Sequence, residues 1–296
     1  MSTSFRRGLI VAVVLTVFGA VFRAGAQAGG NSVTINFGFQ SLEQGRAGLI
    51  TVAGTDVVAG AVDALSHHFP CITAATGGLQ CLVAAPYDQV PGAYPLTLTL
   101  ARKGQSALIK QGSVTVSAGG FLAEALVLPS RLGYLLHPDV EADENDRLLT
   151  AYSIVTPVKY WEGAFKPPIS GPLSSGFGNI RSYPGYGDVI TRHTGQDFTA
   201  PIGTSVMASA NGRVVLSRLM NVHGNNIVID HGWGVYTEYA HLSQRFVVPG
   251  QFVLQGQIIG LSGNTGRSTG PHVHWEVAIN DIWVNPLDFL NLSLTP

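Results

Sequence analysis

V-P-G-Q-F-V-L-Q-G-Q-I-I-G-L-S-G-N-T-G-R-S-T-G-P-H-V-H-W-E-V, residues 248–277, sets the architecture of the last third of the chain. Its β-prone bursts, I-I-G-L-S-G and H-V-H-W-E-V, are separated by a glycine-rich turn, the pattern of short strands joined by tight loops. The turn has no GK[ST] ending and no helix after it, so it is not a phosphate cradle. Its predicted role is to place His272 at a groove. Further strands read outward from it as S-V-M-A-S-A, R-V-V-L-S, N-I-V-I-D-H and V-Y-T-E-Y-A-H. No long amphipathic helix interrupts them. The prediction for residues 171–292 is an antiparallel β domain with an open groove and its chemistry at strand ends and loops.

Five residues of this region carry ligand chemistry: His193 and Asp197 in H-T-G-Q-D, His241 in Y-A-H-L-S, and His272 and His274 in P-H-V-H-W. Imidazole and carboxylate in this proportion suit a first-row divalent metal, most plausibly Zn²⁺. A catalytic zinc needs three protein ligands and an open position, so five groups leave two imidazoles over as proton carriers. Gly195 argues against a helix through H-T-G-Q-D and predicts a loop entering a strand. His272 and His274, two apart in a β-prone run, share one face of a strand. Glu276 reads either as a hydrogen-bond partner of a ligand imidazole or as an ordinary strand residue. His223 and His231 fall outside the set and are assigned to packing.

The segments L-S-S-G-F-G (173–178), H-T-G-Q-D-F-T-A-P-I-G-T-S-V (193–206), Y-A-H-L-S, the opening stretch and N-P-L-D-F-L (285–290) occur in order. Together they resemble the lysostaphin/LytM-type zinc metallopeptidase domain, which hydrolyses peptide bonds in bacterial cell-wall peptidoglycan. The resemblance covers residues 173–290. By motif position it implies that His193, Asp197 and His274 hold Zn²⁺ and that His241 and His272 are the catalytic pair. Tyr183 or Tyr186 would assist with the oxyanion, and Asn264 and Arg267 would contact substrate. The implied activity is that of a zinc endopeptidase acting on peptidoglycan cross-links. The alternative is a catalytically silent wall-binding protein that regulates another hydrolase. A lipoyl-type carrier, suggested by the paired hairpins of 248–260, is excluded because no lysine follows Lys166.

The rest of the chain carries less chemistry. Residues 32–130 alternate apolar and polar in bursts such as V-T-I-N-F, L-I-T-V-A, Y-P-L-T-L-T-L-A and S-V-T-V-S, predicting an immunoglobulin-like β-sandwich. The fold class is therefore all-β, two β domains with a short helical linker between them. Cys71 and Cys81, the only cysteines, flank a turn and are expected to close a hairpin with a disulfide. Residues 131–170 hold the acidic run 138–151, read as one solvated helix, then a Pro-rich linker around Pro157, Pro167 and Pro168. Arg6 and Arg7, an apolar run from Leu9 to Phe22, and Ala24, Gly25 and Ala26 read as a signal peptide over 1–26. Export to the periplasm, wall or medium is the expected localisation, with no membrane association after cleavage. Net charge is −1 and charged residues make up 12 %, which excludes a basic field for nucleic acid.

Overall fold

The computed structural model describes residues 32–74 and 77–292; the expected signal peptide lies outside them. Strands β1 (Thr34–Phe37), β2 (Ser41–Glu43), β3 (Ala47–Ala53), β4 (Val57–Ala64), β5 (His67–Thr73), β6 (Leu79–Ala84), β7 (Gly92–Arg102) and β8 (Leu108–Ser117) form the first sheet. Their order is β1-β3-β6-β5-β4-β7-β8-β2. The order falls into two halves, β1-β3-β6-β5 and β4-β7-β8, and β2 returns parallel to β8. The two halves are not separate sheets. A two-residue turn at Leu65 and Ser66, both with positive φ, ties β4 to β5 so that hydrogen bonding is continuous.

Period-two alternation fills the interior. Leu96, Leu98 and Leu100 of β7 point inward with Ile50, Val62, Phe69 and Val114. Cys71 and Cys81 stand directly opposite each other on β5 and β6 and form a disulfide. Strand β6 is buried along its whole length, because it also lies against the second domain. One hydrophobic core runs through both domains, and Arg46 pairs with Asp288 across their junction at 3.1 Å.

The second domain begins earlier than the sequence suggested. Strand β9 (Ala123–Ala125) pairs in parallel with β11, so the first sheet ends at Ser117 and the following segment already belongs to the second domain. That domain comprises β10 (Leu173–Ser175), β11 (Ile180–Ser182), β12 (Ile190–Arg192), β13 (Gln196–Thr199), β14 (Ser205–Met207), β15 (Gly212–Leu219) and β16 (Asn225–Asp230). It continues with β17 (Val235–Leu242), β18 (Gln244–Arg245), β19 (Phe252–Val253), β20 (Ile258–Leu261), β21 (His272–Ile279) and β22 (Ile282–Val284). The main sheet runs β10-β13-β21-β17-β16-β15-β19, with β22 on β21, and two three-stranded sheets flank it. Strands β17 and β21 are its buried centre.

The acidic run does form a helix, α1 (Pro138–Tyr152), with Pro138 in the first turn. It is not solvated all round. Glu144, Leu148 and Tyr152, spaced i, i+4, i+8, form one buried face. Leu148 and Tyr152 pack against Val228, Tyr236 and Ala278 of the second domain. The linker beyond it docks Trp161 and Phe165 on Trp233 and His231. The groove expected to be open is therefore roofed by α1 and by residues 126–136.

Candidate metal centre

Three side chains converge at the junction of β13 and β21. Asp197 stands on β13 directly opposite His274 on β21. His193 reaches them from the loop before β13. That loop passes very close to β21: a Cβ at Gly195 would come within 2.5 Å of the Trp275 carbonyl and 2.7 Å of the His274 ring. His193 Nε2 lies 3.0 Å from Asp197 Oδ1 and 2.9 Å from His274 Nδ1, and that Nδ1 lies 2.9 Å from the same Oδ1. The three donors thus form a nearly equilateral triangle, and all three residues are buried.

The outer contacts of each donor set its tautomer. His193 Nδ1 faces the Gly176 carbonyl at 2.7 Å, so it carries the hydrogen and leaves Nε2 free. His274 Nε2 faces Glu276 Oε1 at 2.8 Å, leaving its Nδ1 free. Glu276 also accepts from Thr194 Oγ1 and from Trp283 Nε1, the latter at 2.6 Å. Asp197 spends its other oxygen on Arg181 Nη2 at 2.7 Å. With all outer positions taken, the three inner lone pairs aim at one another.

Zn²⁺ fits this donor set. A tetrahedral zinc with bonds of about 2.0–2.2 Å to nitrogen and oxygen needs ligand edges of roughly 3.3 Å, a few tenths wider than the triangle here. The titration behaviour asks for a cation as well. Burial opposes charge on His274, yet Asp197 and Glu276 outweigh it and push its pKa up to about 10. Burial would raise Asp197, but His193 and His274 hold it well below the usual carboxylate range. Burial depresses His193 to about 4, so that imidazole is neutral and ready to bind, whereas His274 must give up a proton to the incoming cation.

His241 and His272 flank the triangle, their rings 4.6 Å apart, with His241 5.8 Å from the His274 ring. Both are oriented by the glycine-rich loop. His241 Nδ1 donates to the Thr265 carbonyl at 2.8 Å and His272 Nδ1 donates to the Gly270 carbonyl at 2.7 Å. Each therefore presents a bare Nε2, and that of His272 lies 3.7 Å from Asp197 Oδ1. His241 holds a left-handed backbone with φ of 60°, uncommon for a residue other than glycine, and its surroundings hold it there. Its N–H to the His223 carbonyl, at 2.8 Å, is part of that constraint. Burial first, then His272 and His274, holds the His241 pKa well below its ordinary value, so it stands as a neutral base.

The groove residues expected to meet substrate are placed differently. Tyr183 is buried among Leu128, Leu132, Leu135 and Leu136, with its hydroxyl 3.0 Å from Thr191 Oγ1. Tyr186 packs on Gly133. Tyr183 lines the same depression as His193, His241 and His274, whereas Tyr186 is half-buried against the cluster of Leu128, Leu132, Leu135 and Leu136. Asn264 is exposed. Arg267 lines the groove but is engaged by Glu141 at 2.7 Å. Sequence reading missed Arg181, Glu144 and His223. His223 is not simple packing: it lines the same depression as His193, His241 and His274, and Glu144 binds it. The i, i+4, i+8 spacing of Glu144, Leu148 and Tyr152 could have shown that the helix has a buried face. No spacing rule leads to Arg181.

A family model described as peptidase family M23 matches residues 191–286, which contain all five of these residues. Peptidoglycan DD-endopeptidase ShyA of Vibrio cholerae serotype O1 is 46 % identical over 115 residues, 39 % of this chain and 26 % of its own length. DD-carboxypeptidase/endopeptidase Mpg of Neisseria meningitidis serogroup B is 48 % identical over 95 residues, 32 % of this chain and 22 % of its own. The chain thus spans about a quarter of the length of these relatives. A Pseudomonas aeruginosa structure described as an M23 peptidase matches across both domains. Its TM-score is 0.62 and its identity 26 %, over 83 % of this chain and 93 % of that one.

Proposed function

With residues 191–286 assigned to peptidase family M23, we propose that this chain is an exported zinc metalloendopeptidase that hydrolyses peptide cross-links of bacterial peptidoglycan. The observation that carries the reading is the division of labour among five residues: three converge as a donor triangle, and two stand beside it with bare Nε2 atoms. The relatives named as DD-endopeptidases favour D,D cross-links over glycine bridges.

His193 Nε2, Asp197 Oδ1 and His274 Nδ1 would hold the zinc, which when bound supplies a Lewis acid for water and the scissile carbonyl. The chain's own residues do the proton work. His272 Nε2, 3.7 Å from Asp197 Oδ1, takes a proton from the attacking water and passes it towards the leaving amine. His241 Nε2, a neutral base across the same gap, takes up or returns the second proton. The Thr265 and Gly270 carbonyls keep both rings in the productive tautomer through the cycle. Arg181 Nη2 holds the outer oxygen of Asp197 and so aligns the carboxylate.

The test is digestion of purified sacculi by the protein from residue 27 onward, with products weighed by mass spectrometry. Chelator-sensitive release of D,D-cleaved muropeptides, lost in His272→Ala, is the expected result. Zinc bound at one per chain with no release under any condition would overturn the hydrolase and favour the wall-binding regulator.

A further inference from the structure

Two carboxylates of α1 sit in receptors built entirely by the second domain. Glu144 Oε2 accepts the Val222 N–H at 2.6 Å, while its Oε1 accepts the His223 N–H at 3.0 Å and faces His223 Nδ1 at 2.8 Å. Three residues earlier on the same helical face, Glu141 Oε2 accepts Arg267 Nη1 at 2.7 Å. The receptor groups are thus two adjacent backbone amides, one imidazole and one guanidinium, all donors. Their side chains are almost enclosed: His223 and Arg267 each keep 11 % of their side-chain surface.

The receptor is held together by contacts that do not involve α1. Arg267 N–H donates to the Val222 carbonyl at 2.8 Å, and the amide of His241 donates to the His223 carbonyl at 2.8 Å. Asn225 N–H donates to Thr265 Oγ1 at 3.0 Å, and Thr265 in turn orients His241 through its carbonyl. The same two loops therefore carry the anion receptor and the base His241. Val222, His223 and Arg267 line one depression with His193, His241 and His274, and Glu141 and Asn145 of α1 cover it. The receptor residues also fall within the family match at 191–286, whereas α1 lies outside it.

We propose that Val222, His223 and Arg267 form a carboxylate-binding subsite for an acidic peptide segment of the substrate, and that Glu144 and Glu141 occupy it in this structure as intramolecular stand-ins. This rests on the peptidase reading above and adds the chemical class that the groove selects. Peptide and α1 compete for the same donors, so an acidic substrate displaces the helix that roofs the groove. A segment with two carboxylates matches the receptor pair; its diamide does not. Paired backbone amides and a guanidinium reward a planar anion, as Glu144 and Glu141 do here.

The probe is an N-acetylated tetrapeptide with two side-chain carboxylates, compared with its diamide, binding to the full chain by calorimetry. In Glu141→Gln/Glu144→Gln the dicarboxylate is expected to bind at least about tenfold more tightly than to the unaltered chain, because the competitor is gone. Within that variant the diamide should bind about tenfold more weakly than the dicarboxylate, and Arg267→Gln should shrink this preference. Hydrogen exchange on the unaltered chain needs no variant: the dicarboxylate, not the diamide, should speed exchange in α1. Equal affinity for both peptides, or α1 exchange that ignores both, would overturn the subsite. Neither readout needs turnover. Sacculus hydrolysis without peptide discrimination sinks the subsite alone, and discrimination without hydrolysis sinks the peptidase alone.

Discussion

The two β domains use one backbone architecture for opposite purposes, and the difference lies in what they bury. Among the described residues, the first sheet buries apolar side chains with only Asp56 and Gln80 as polar exceptions, and Asp56 is held by Arg102 at its edge. The second domain buries histidines and carboxylates in and beside its central strands, among them His193, Asp197, Glu238, His241, His274 and Glu276. Burying such groups is costly unless each has a partner, so their accumulation marks the place where the fold gives up stability for chemistry. Around the triangle the partners are chosen so that one atom of each ring is spent and the other is left for use.

The sharpest way to break this contrast is to remove a donor. Asp197→Ala leaves two buried imidazoles and Arg181 without their carboxylate, so zinc should fall well below one per chain by elemental analysis. Sacculus hydrolysis should drop by about a thousandfold or more, since the metal's contribution is lost with the site. A matching change in the first domain should do the reverse. Leu98 is fully buried in β7, and Leu98→Ala should cost about 2–5 kcal/mol of stability, read as a lower Tm, with zinc still bound at one per chain.

Smaller effects sharpen the account within the second domain. Glu276→Gln keeps the shape but weakens the acceptor behind His274, so zinc affinity should fall by about 10- to 100-fold in competition with a chelator. The weakest effect is on pH. Burial opposes charge on His223, but Glu238, Glu144 and Glu276 raise its pKa, with His274 and His241 the neighbouring rings. Burial also opposes charge on Glu144, yet His223 and the Val222 and His223 amides lower its pKa. The His223 contribution is complete below its ordinary value near 6.5 and is lost as pH rises through the raised one. The Glu144 contribution is complete above its ordinary value near 4.5 and is lost as pH falls through the lowered one. Docking of α1 should therefore be firmest in mildly acidic solution. Its amide exchange, corrected for intrinsic rate, should quicken towards alkaline pH.

Four of the five central residues were legible because they stand in local pairs, while His241 is marked by its Y-A-H-L-S motif and the roles of all five come from the family resemblance. His272 and His274 are two apart on a strand, and the loop from His193 enters the strand that carries Asp197. The strand character of both domains was legible for the same reason, since alternation is a short-range signal. The roof over the groove was not. Glu144 meets His223 across 79 residues and Glu141 meets Arg267 across 126, and each carboxylate read alone belongs to a solvated helix. The packing around Tyr183 was not legible, for the same reason, because only the fold brings Leu128, Leu132 and Leu135 against it. Arg181 reaches Asp197 only through the return of β11 against β12, which no spacing encodes.

The central claim is that holding the metal and moving the proton belong to different histidines. The most direct measurement takes zinc content and hydrolysis of sacculi from one preparation each of the unaltered chain and His272→Ala. The account predicts one zinc per chain in both, with hydrolysis reduced by about a hundredfold or more in the variant alone. Loss of zinc in His272→Ala, or hydrolysis that survives it with zinc in place, would contradict that division.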